Sequence, residues 1–548
     1  MKRFLWLGFV LCLYLICSGC GDTFRPIIIP NPPTFPNPKA AHTVVSINDN
    51  GTVVPGSAMV VDVSGDSDVS VKDVGVAPVH AVQQTASEVL VVNHSTPGPL
   101  NQGDSITKLN FNGTVISSTT TISLPANSEP NFVAVAPSAT TAYVTLPNYS
   151  PPSVDVVNTQ SNTTATVPVG SNPVALAVTA NNSKLYVANQ GDSTISGFNI
   201  VTLGLSPRGS PVHTSSPPIW LVARTDNQRV YALEQVTGVL AELDTTSTAG
   251  PDPLTEYPSA FSVPGATTMV YDSNKNRLYI PGGPVMKIVD VSQTPAQLLA
   301  TISIPSVPGL PDPVSASAVA VTALPDGSRA YVASVPGSAQ ASQASISAVQ
   351  GDGTTATYTY TWTGGHDLTP GITVAVSGIT SPNDGFNGTY AITAVTGSSC
   401  NQPAQVCTFQ AANSTVLGTQ TPVTGLASST IDNLFPQVSV VNVSSNSITK
   451  TFGIPGFPDA TNPNTPVYYA PVCAPPTPYR ATFRFRMAAG GDSSRAYLAT
   501  CDGGNVNIID TTSDSYILNL PAPVGTRPPI PPNPQNPPQN PVFLFAGP

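Results

Sequence analysis

Charge is what this sequence lacks. Only 9% of its 548 residues are Asp, Glu, Lys or Arg, and it holds just five glutamates and five histidines. The 20 Lys and Arg are outnumbered by 30 Asp and Glu, for a net charge of -10. A protein that grips nucleic acid needs a basic surplus to neutralise phosphates, so that class is disfavoured. A long helical or coiled-coil protein would be rich in Glu, Lys, Leu and Ala, and is excluded on the same composition. Cysteine is scarce too, with seven in all, and none form a metal-ligand cluster. What is abundant is proline (59), glycine (42) and regular runs of Val, Ile, Tyr and Phe within a 40% hydrophobic fraction. Those runs supply core material at low net charge per residue, which argues against plain disorder. The remaining class is a Thr/Ser/Asn-rich all-β protein.

The amino terminus has the layout of an export signal. Lys2 and Arg3 precede an apolar run from Phe4 to Ile16, followed by the small residues Ser18 and Gly19 before Cys20. A run of about 13 residues is too short for a permanent membrane helix, which needs about 20. The stretch CSGC resembles the lipobox of bacterial lipoproteins, although Cys17 stands where Leu is usual. Residues 1–20 are thus a signal peptide with a lipobox-like end, and the resemblance implies cleavage before Cys20, which is acylated and becomes the new first residue. Because Gly21 rather than His follows, the C-x-x-C pattern is no haem-attachment motif. Residues 21–41 then read as a Pro-rich linker, with six prolines between Pro26 and Pro38 favouring an extended, semi-rigid stalk. Four cysteines remain beyond the signal. In an oxidising compartment an even remainder predicts two disulfides, Cys400 with Cys407 and Cys473 with Cys501.

The body repeats. A tyrosine-led strand recurs at Tyr143, Tyr186, Tyr231, Tyr279, Tyr331 and Tyr497, with a tyrosine-free copy at Val89. An alternating apolar strand precedes each copy, across a turn such as NNSK or PDGSR. A third strand closing on Asp or Asn follows, as in SVDVVNT and NIIDTTS, and a fourth leads to the next unit. Four short strands at a period near 45 residues are the pattern of a β-propeller blade, whose sheet buries its faces against neighbouring sheets. These units resemble the YVTN-type β-propeller repeat, YVAN at 186–189 being the nearest copy, over roughly 57–338 and 435–525. The resemblance implies a fold and says little about function.

Seven sets of four strands start near Pro78, Asn131, Asn172, Ile219, Thr267, Ser315 and Tyr479. Strands at 43–49, 58–65 and 69–75 lack a first strand, and 540–548 resembles a first strand without followers. If the two ends complete one blade, the ring has eight blades; if the amino-terminal strands are decoration, seven. The expected division is a propeller over 42–338 and 435–548, interrupted by an inserted β-rich module at 339–434. The second part includes the Pro-rich stretch 528–541 and a closing strand. The insert falls between a second and a third strand, where a loop tolerates an extra domain.

Recognisable catalytic motifs are missing: there is no G-x-S-x-G elbow, no H-E-x-x-H and no phosphate loop. His42, His80, His94, His213 and His366 lack ligand spacing. The turns at 64–70 and 189–193 carry aspartates in the manner of calcium loops, but with too few ligands; Asp, Gly and Ser are ordinary turn formers. No cofactor or metal is expected. Above this background stands YRATFRFRMAAGG (479–491), in which Arg480, Arg484 and Arg486 share one face of a strand by the two-residue period. On an innermost strand they form a candidate anion site facing the channel.

Three functions are weighed. The favoured one is a non-enzymatic cell-envelope lipoprotein acting as a binding platform for a protein or a cell-wall or extracellular polymer. The second is a lactonase-like or other hydrolytic enzyme, with His80, Glu234 and Arg484 as candidate channel residues. Nucleic-acid binding comes third, against the charge balance.

Overall fold

The computed structural model describes residues 43–547 except 52, 95–102, 136–139, 203, 258–260, 306–315, 337–338, 365–367, 369, 371–372, 401–403, 433–435, 455–456, 459–465, 468–484, 502, 527–535 and 537. Cys20, Cys473, Arg480, Arg484, His42 and His366 lie outside the described residues.

Short alternating strands separated by Asn, Asp and Gly turns pair with their nearest neighbours in sequence, giving successive antiparallel sheets of four strands. Blade II is Pro78–Thr85, Glu88–Asn93, Ser105–Asn112 and Val115–Ser123. Blade III is Val133–Val135, Thr141–Leu146, Ser153–Asn158 and Thr163–Pro168. Blade IV is Pro173–Val178, Lys184–Asn189, Thr194–Val201 and Gly204–Pro207, with Val212–His213 also pairing its third strand. Blade V comprises Pro218–Ala223, Arg229–Glu234, Leu240–Asp244 and Leu254–Tyr257. Blade VI comprises Val270–Asp272, Arg277–Gly282, Val285–Asp290 and Gln297–Ser303. Blade VII is Ala316–Ala323, Arg329–Pro336, Gln437–Asn442 and Ser447–Gly453, and blade VIII is Phe485–Ala489, Arg495–Thr500, Asn505–Asp510 and Ser515–Pro521.

Blade I joins the two ends of the chain. Thr43–Asp49, Pro55–Asp62 and Ser67–Val76 supply three strands, and Asn540–Ala546 supplies the first, with Val44 opposite Ala546 and Ile47 opposite Phe543. The ring therefore has eight blades, and closure leaves no open seam to template another chain. First strands line the axis. Those of blades I, II, III, IV and V lie side by side in that order, as do those of VI, VII, VIII and I. Fourth strands such as Thr163–Pro168 are largely exposed and form the outer wall.

The repeated tyrosines are the centre of the packing. Tyr143, Tyr186, Tyr231, Tyr279, Tyr331 and Tyr497 are all buried between blades. Each second strand is preceded by a turn that needs left-handed backbone, supplied by Asn182, Asn227, Asn276, Gly327 and Ser493 in blades IV to VIII. The Asp or Asn closing a third strand folds onto the next backbone N–H groups. Asn158 Oδ1 accepts from Gln160 and Ser161, and Asn442 Oδ1 from Ser444 and Ser445.

Between the second and third strands of blade VII the chain builds a closed six-stranded barrel. Its strands are Ala339–Asp352, Thr355–Gly364, Thr373–Ser377, Gly388–Thr396, Val406–Ala412 and Val416–Asp432. Tyr358, Tyr360, Phe386 and Phe409 fill its own core. Cys400 and Cys407 are disulfide-bonded in it. Cys501 of the ring is disulfide-bonded as well.

Candidate functional site

Most of the basic side chains among the described residues hold blades to one another. The residue two before the repeat tyrosine is basic in blades IV to VIII, and it reaches the turn after the third strand of the following blade. Lys184 Nζ donates to the carbonyls of Thr245 (2.5 Å) and Ser247 (2.8 Å). Arg277 Nη1 donates to the carbonyl of Val443 at 2.7 Å, and Arg329 Nη1 to that of Thr511. In blade V, Arg224 reaches the carbonyl of Val291 while Arg229 donates to Thr294 at 3.2 Å. In blade II, Lys108 donates to the carbonyl of Thr159 at 3.1 Å. Thr159, Thr245, Val291, Val443 and Thr511 all directly follow the closing Asp or Asn, so these are copies of one inter-blade latch. Carboxylates strengthen some copies: Asp252 receives Arg208 bidentately at 2.9 and 3.0 Å and the hydroxyl of Tyr186 at 2.5 Å.

The acidic turns are likewise structural. Asp62 accepts from the backbone of Ser64, Asp66 pairs with Arg495, and Asp192 accepts from the backbone of Ser171. Among the described residues no three His, Cys, Asp or Glu side chains gather as a metal site. His94 is buried 3.9 Å from Glu129, and His213 is exposed on the short strand added to blade IV.

Among the described residues, two further places bring titratable groups together without serving a latch. One is the axis. His80, on the first strand of blade II, stacks on Phe132 at 3.9 Å and lies 4.3 Å from Phe543. Phe132 meets Trp220 edge-on at 5.5 Å. Arg486, on the first strand of blade VIII, places its guanidinium carbon 4.8 Å from the Phe543 ring centre and 5.3 Å from that of Trp220. Its Nη1 lies 3.3 Å from Thr268 Oγ1. Strands from blades I, II, V and VIII thus converge on one aromatic and cationic cluster. Burial, and then the Arg486 charge, hold the His80 pKa well below its usual value, leaving a neutral ring whose Nδ1 faces the backbone N–H of Val133 at 3.4 Å. Burial also lowers Arg486 to about 10, so it stays cationic at neutral pH. Of the three arginines read as a candidate anion site, Arg486 lies on the described strand Phe485–Ala489, and Arg480, Arg484 and the expected strand start near Tyr479 lie outside the described residues.

The other place is the seam between blades IV and V. Glu234, fully buried at the end of the second strand of blade V, accepts a 2.8 Å hydrogen bond from Ser215 Oγ. The backbone N–H of Ser215 donates to Glu256 at 2.6 Å. Burial first, and then the charge of Glu256 and a hydrogen bond with it, push Glu234 up to about 7 against the pull of Ser215. Glu234 thus keeps its proton up to about neutral pH beside a second carboxyl group, an arrangement that suits an acid–base site. Sequence reasoning named Glu234 but missed Glu256 and Ser215. No local motif joins them, because Ser215 comes from the connection between blades. Glu234, His80 and Arg486 do not form one site: the glutamate sits at a blade seam and the other two in the axial cluster.

No protein-family model matches the chain, and no curated protein sequence matches it. Among solved structures it is similar to apo AztD from Citrobacter koseri, at 10% identity and a TM-score of 0.48, over 92% of this chain and 97% of that one. It is also similar to the periplasmic gluconolactonase PpgL of Pseudomonas aeruginosa, at 11% identity and a TM-score of 0.40, over 70% of this chain and 98% of that one. Hydrazine synthase of Kuenenia stuttgartiensis is a third, at 13% identity and a TM-score of 0.37, over 72% and 87%. These are likenesses, and the eight-bladed architecture rests on the strand pairing itself.

Proposed function

We propose that the protein is a non-enzymatic cell-envelope lipoprotein of the YVTN-repeat type, anchored through Cys20, whose ring is a platform for binding a protein or polymer partner. The observation that carries this reading is the barrel. It has its own aromatic core, and its insertion leaves blade VII in register, with Arg329 still opposite Asn442 and Ser334 opposite Gln437. A ring that keeps its pairing around a hundred-residue insertion acts as a scaffold presenting a second module, and most described basic residues serve the latches that keep it rigid. The test joins Pro336 to Gln437 through a short linker and compares the two proteins for folding and for retention on isolated envelope material. The scaffold reading expects a ring with an unchanged melting transition and lost retention; collapse of the ring counts against it.

A second reading, a lactonase-like or hydrolytic enzyme, draws on the Glu234–Glu256 pair. It expects turnover of lactone or ester substrates that Glu234→Gln abolishes while the melting temperature holds. Absence of turnover across such a panel removes it.

A further inference from the structure

The two faces of the ring are built differently. Strands alternate in direction within each blade, so connections from second to third strand, and from one blade to the next, open on the same face. Connections from first to second and from third to fourth strand open on the other. This second face is plain, made of turns such as 179–183, 224–228, 443–446 and 511–514, the longest being 245–253. Everything longer belongs to the first face: connections 208–217, 258–269, 304–315, 454–484 and 522–539, and the barrel. Long connections cost conformational entropy beyond what joining two strands requires, so their segregation marks the face they share as the one under functional demand. The chain enters the ring on the plain face. Thr43 begins a strand where Asn540–Ala546 ends, and its carbonyl accepts from the N–H of Gly547 at 2.9 Å.

Resting on the platform reading, we propose that the elaborated face is the docking face, that the barrel is its main contact, and that the occupant is an uncharged polysaccharide. Residues 337–436 contain no lysine, arginine or glutamate, and their only acids are Asp352, Asp367, Asp384 and Asp432. Apart from His366 this stretch has no basic group to neutralise a polyanion or to pair with an acidic protein. It offers instead neutral hydroxyl and amide groups in register. Tyr358, Tyr360 and Phe409 point into the barrel, so Thr357, Thr361 and Gln410 on the same strands point outward, while Thr359 between the two tyrosines is buried, its Oγ1 accepting from Gln420 Nε2 at 2.6 Å. Thr357 lies opposite Gln410 on one side and Gln350 on the other, and Thr361 opposite Ser345. The rows repeat at about 6.6 Å along a strand and about 4.8 Å across strands. Each hydroxyl and amide both donates and accepts, as sugar hydroxyls do, and shedding water from neutral groups costs far less than shedding it from charges.

The test incubates the full chain with microcrystalline cellulose, chitin and a soluble α-glucan, and with heparin and duplex DNA, in low and high salt. The proposal expects retention on at least one neutral polymer, insensitive to salt, and weakened at least tenfold by Thr357→Glu with Gln410→Glu. The melting temperature reports that the variant is folded, and Thr389→Glu with Ala375→Glu, an exposed cross-strand pair elsewhere on the barrel, serves as a charge-matched control expected to retain binding. Binding to none of the neutral polymers, binding only to polyanions, or equal loss in both variants overturns it. Those outcomes leave the platform reading to its own test, since a ring that still retains envelope material through a protein component sinks only the polysaccharide assignment. Glu234-dependent lactone turnover would sink the platform reading instead.

Discussion

Arg495 of blade VIII holds Asp66 of blade I with two parallel hydrogen bonds, Nε to Oδ1 at 2.9 Å and Nη2 to Oδ2 at 3.0 Å, and binds Asp510 of its own blade at 2.9 Å. The pair spans 429 residues of sequence and lies at the seam where the ring closes. Hydrogen bonding to Asp66 is the first cause that raises the Arg495 pKa, with burial opposing it. Arg495→Ala leaves two partly buried carboxylates without their cation and is expected to cost on the order of 2–3 kcal/mol. Chemical denaturation reads this directly. Arg495→Lys should recover only part of the loss, because an ammonium cannot make the bidentate contact. A variant as stable as the wild type would show that the latch is ornamental.

Removing the closing strand is a harsher test of the same seam. A chain ending at Gln539 loses the partner of Thr43–Asp49 and also Phe543 from the axial cluster. We expect rapid proteolysis within 43–76 and self-association through the exposed strand edge, seen by size-exclusion chromatography.

Asp155, in the third strand of blade III, is fully buried, and burial pushes its carboxyl up to about 7 against an opposing pull from the backbone of Ala165. Its unfolded value is near 3.8. The folded state therefore holds a proton that the unfolded state has released, and stability falls as pH rises from about 4 to about 7, then levels off. Asp155→Asn should flatten that slope and raise stability at pH 8 by on the order of 1–3 kcal/mol. Unfolding midpoints of both proteins from pH 4 to 9 decide it; parallel curves refute the assignment.

Glu234 has the same sign and a different readout. Its folded value near 7 against an ordinary 4.5 makes the seam between blades IV and V tightest below about pH 5 and progressively weaker up to about pH 7. Glu256→Gln removes the like charge and should pull the Glu234 titration downward. Infrared titration of the carboxyl band should therefore move to lower pH in that variant.

The Cys400–Cys407 disulfide closes a loop with a sequence separation of 7. Replacing both cysteines with serine should cost about 2 kcal/mol by loss of loop-closure restraint. Calorimetry should assign that loss to a transition of the barrel and leave the ring transition in place, since the bond lies wholly within the inserted core.

The sequence by itself determined the blades. Period-two alternation, the tyrosine at the centre of each second strand and the closing Asp or Asn are local signals, because one strand and one turn already contain their physical cause. What it left open was everything made by convergence. Whether residues 43–76 form part of the ring depended on pairing with Asn540–Ala546, nearly 500 residues away, and only the tertiary structure makes the number eight. The basic residue two before the tyrosine in blades IV to VIII is present in each unit, but its partner belongs to the next blade, so the latch could not be read from one unit. The break in period between Tyr331 and Tyr497 does not reveal that the inserted strands close into a barrel. Likewise Glu256 comes to Glu234 from the fourth strand of blade V and Ser215 from the connection before that blade, and His80, Trp220, Arg486 and Phe543 meet from four blades. Side chains far apart in sequence share a site because radial stacking brings the blades together, and no local pattern encodes that packing.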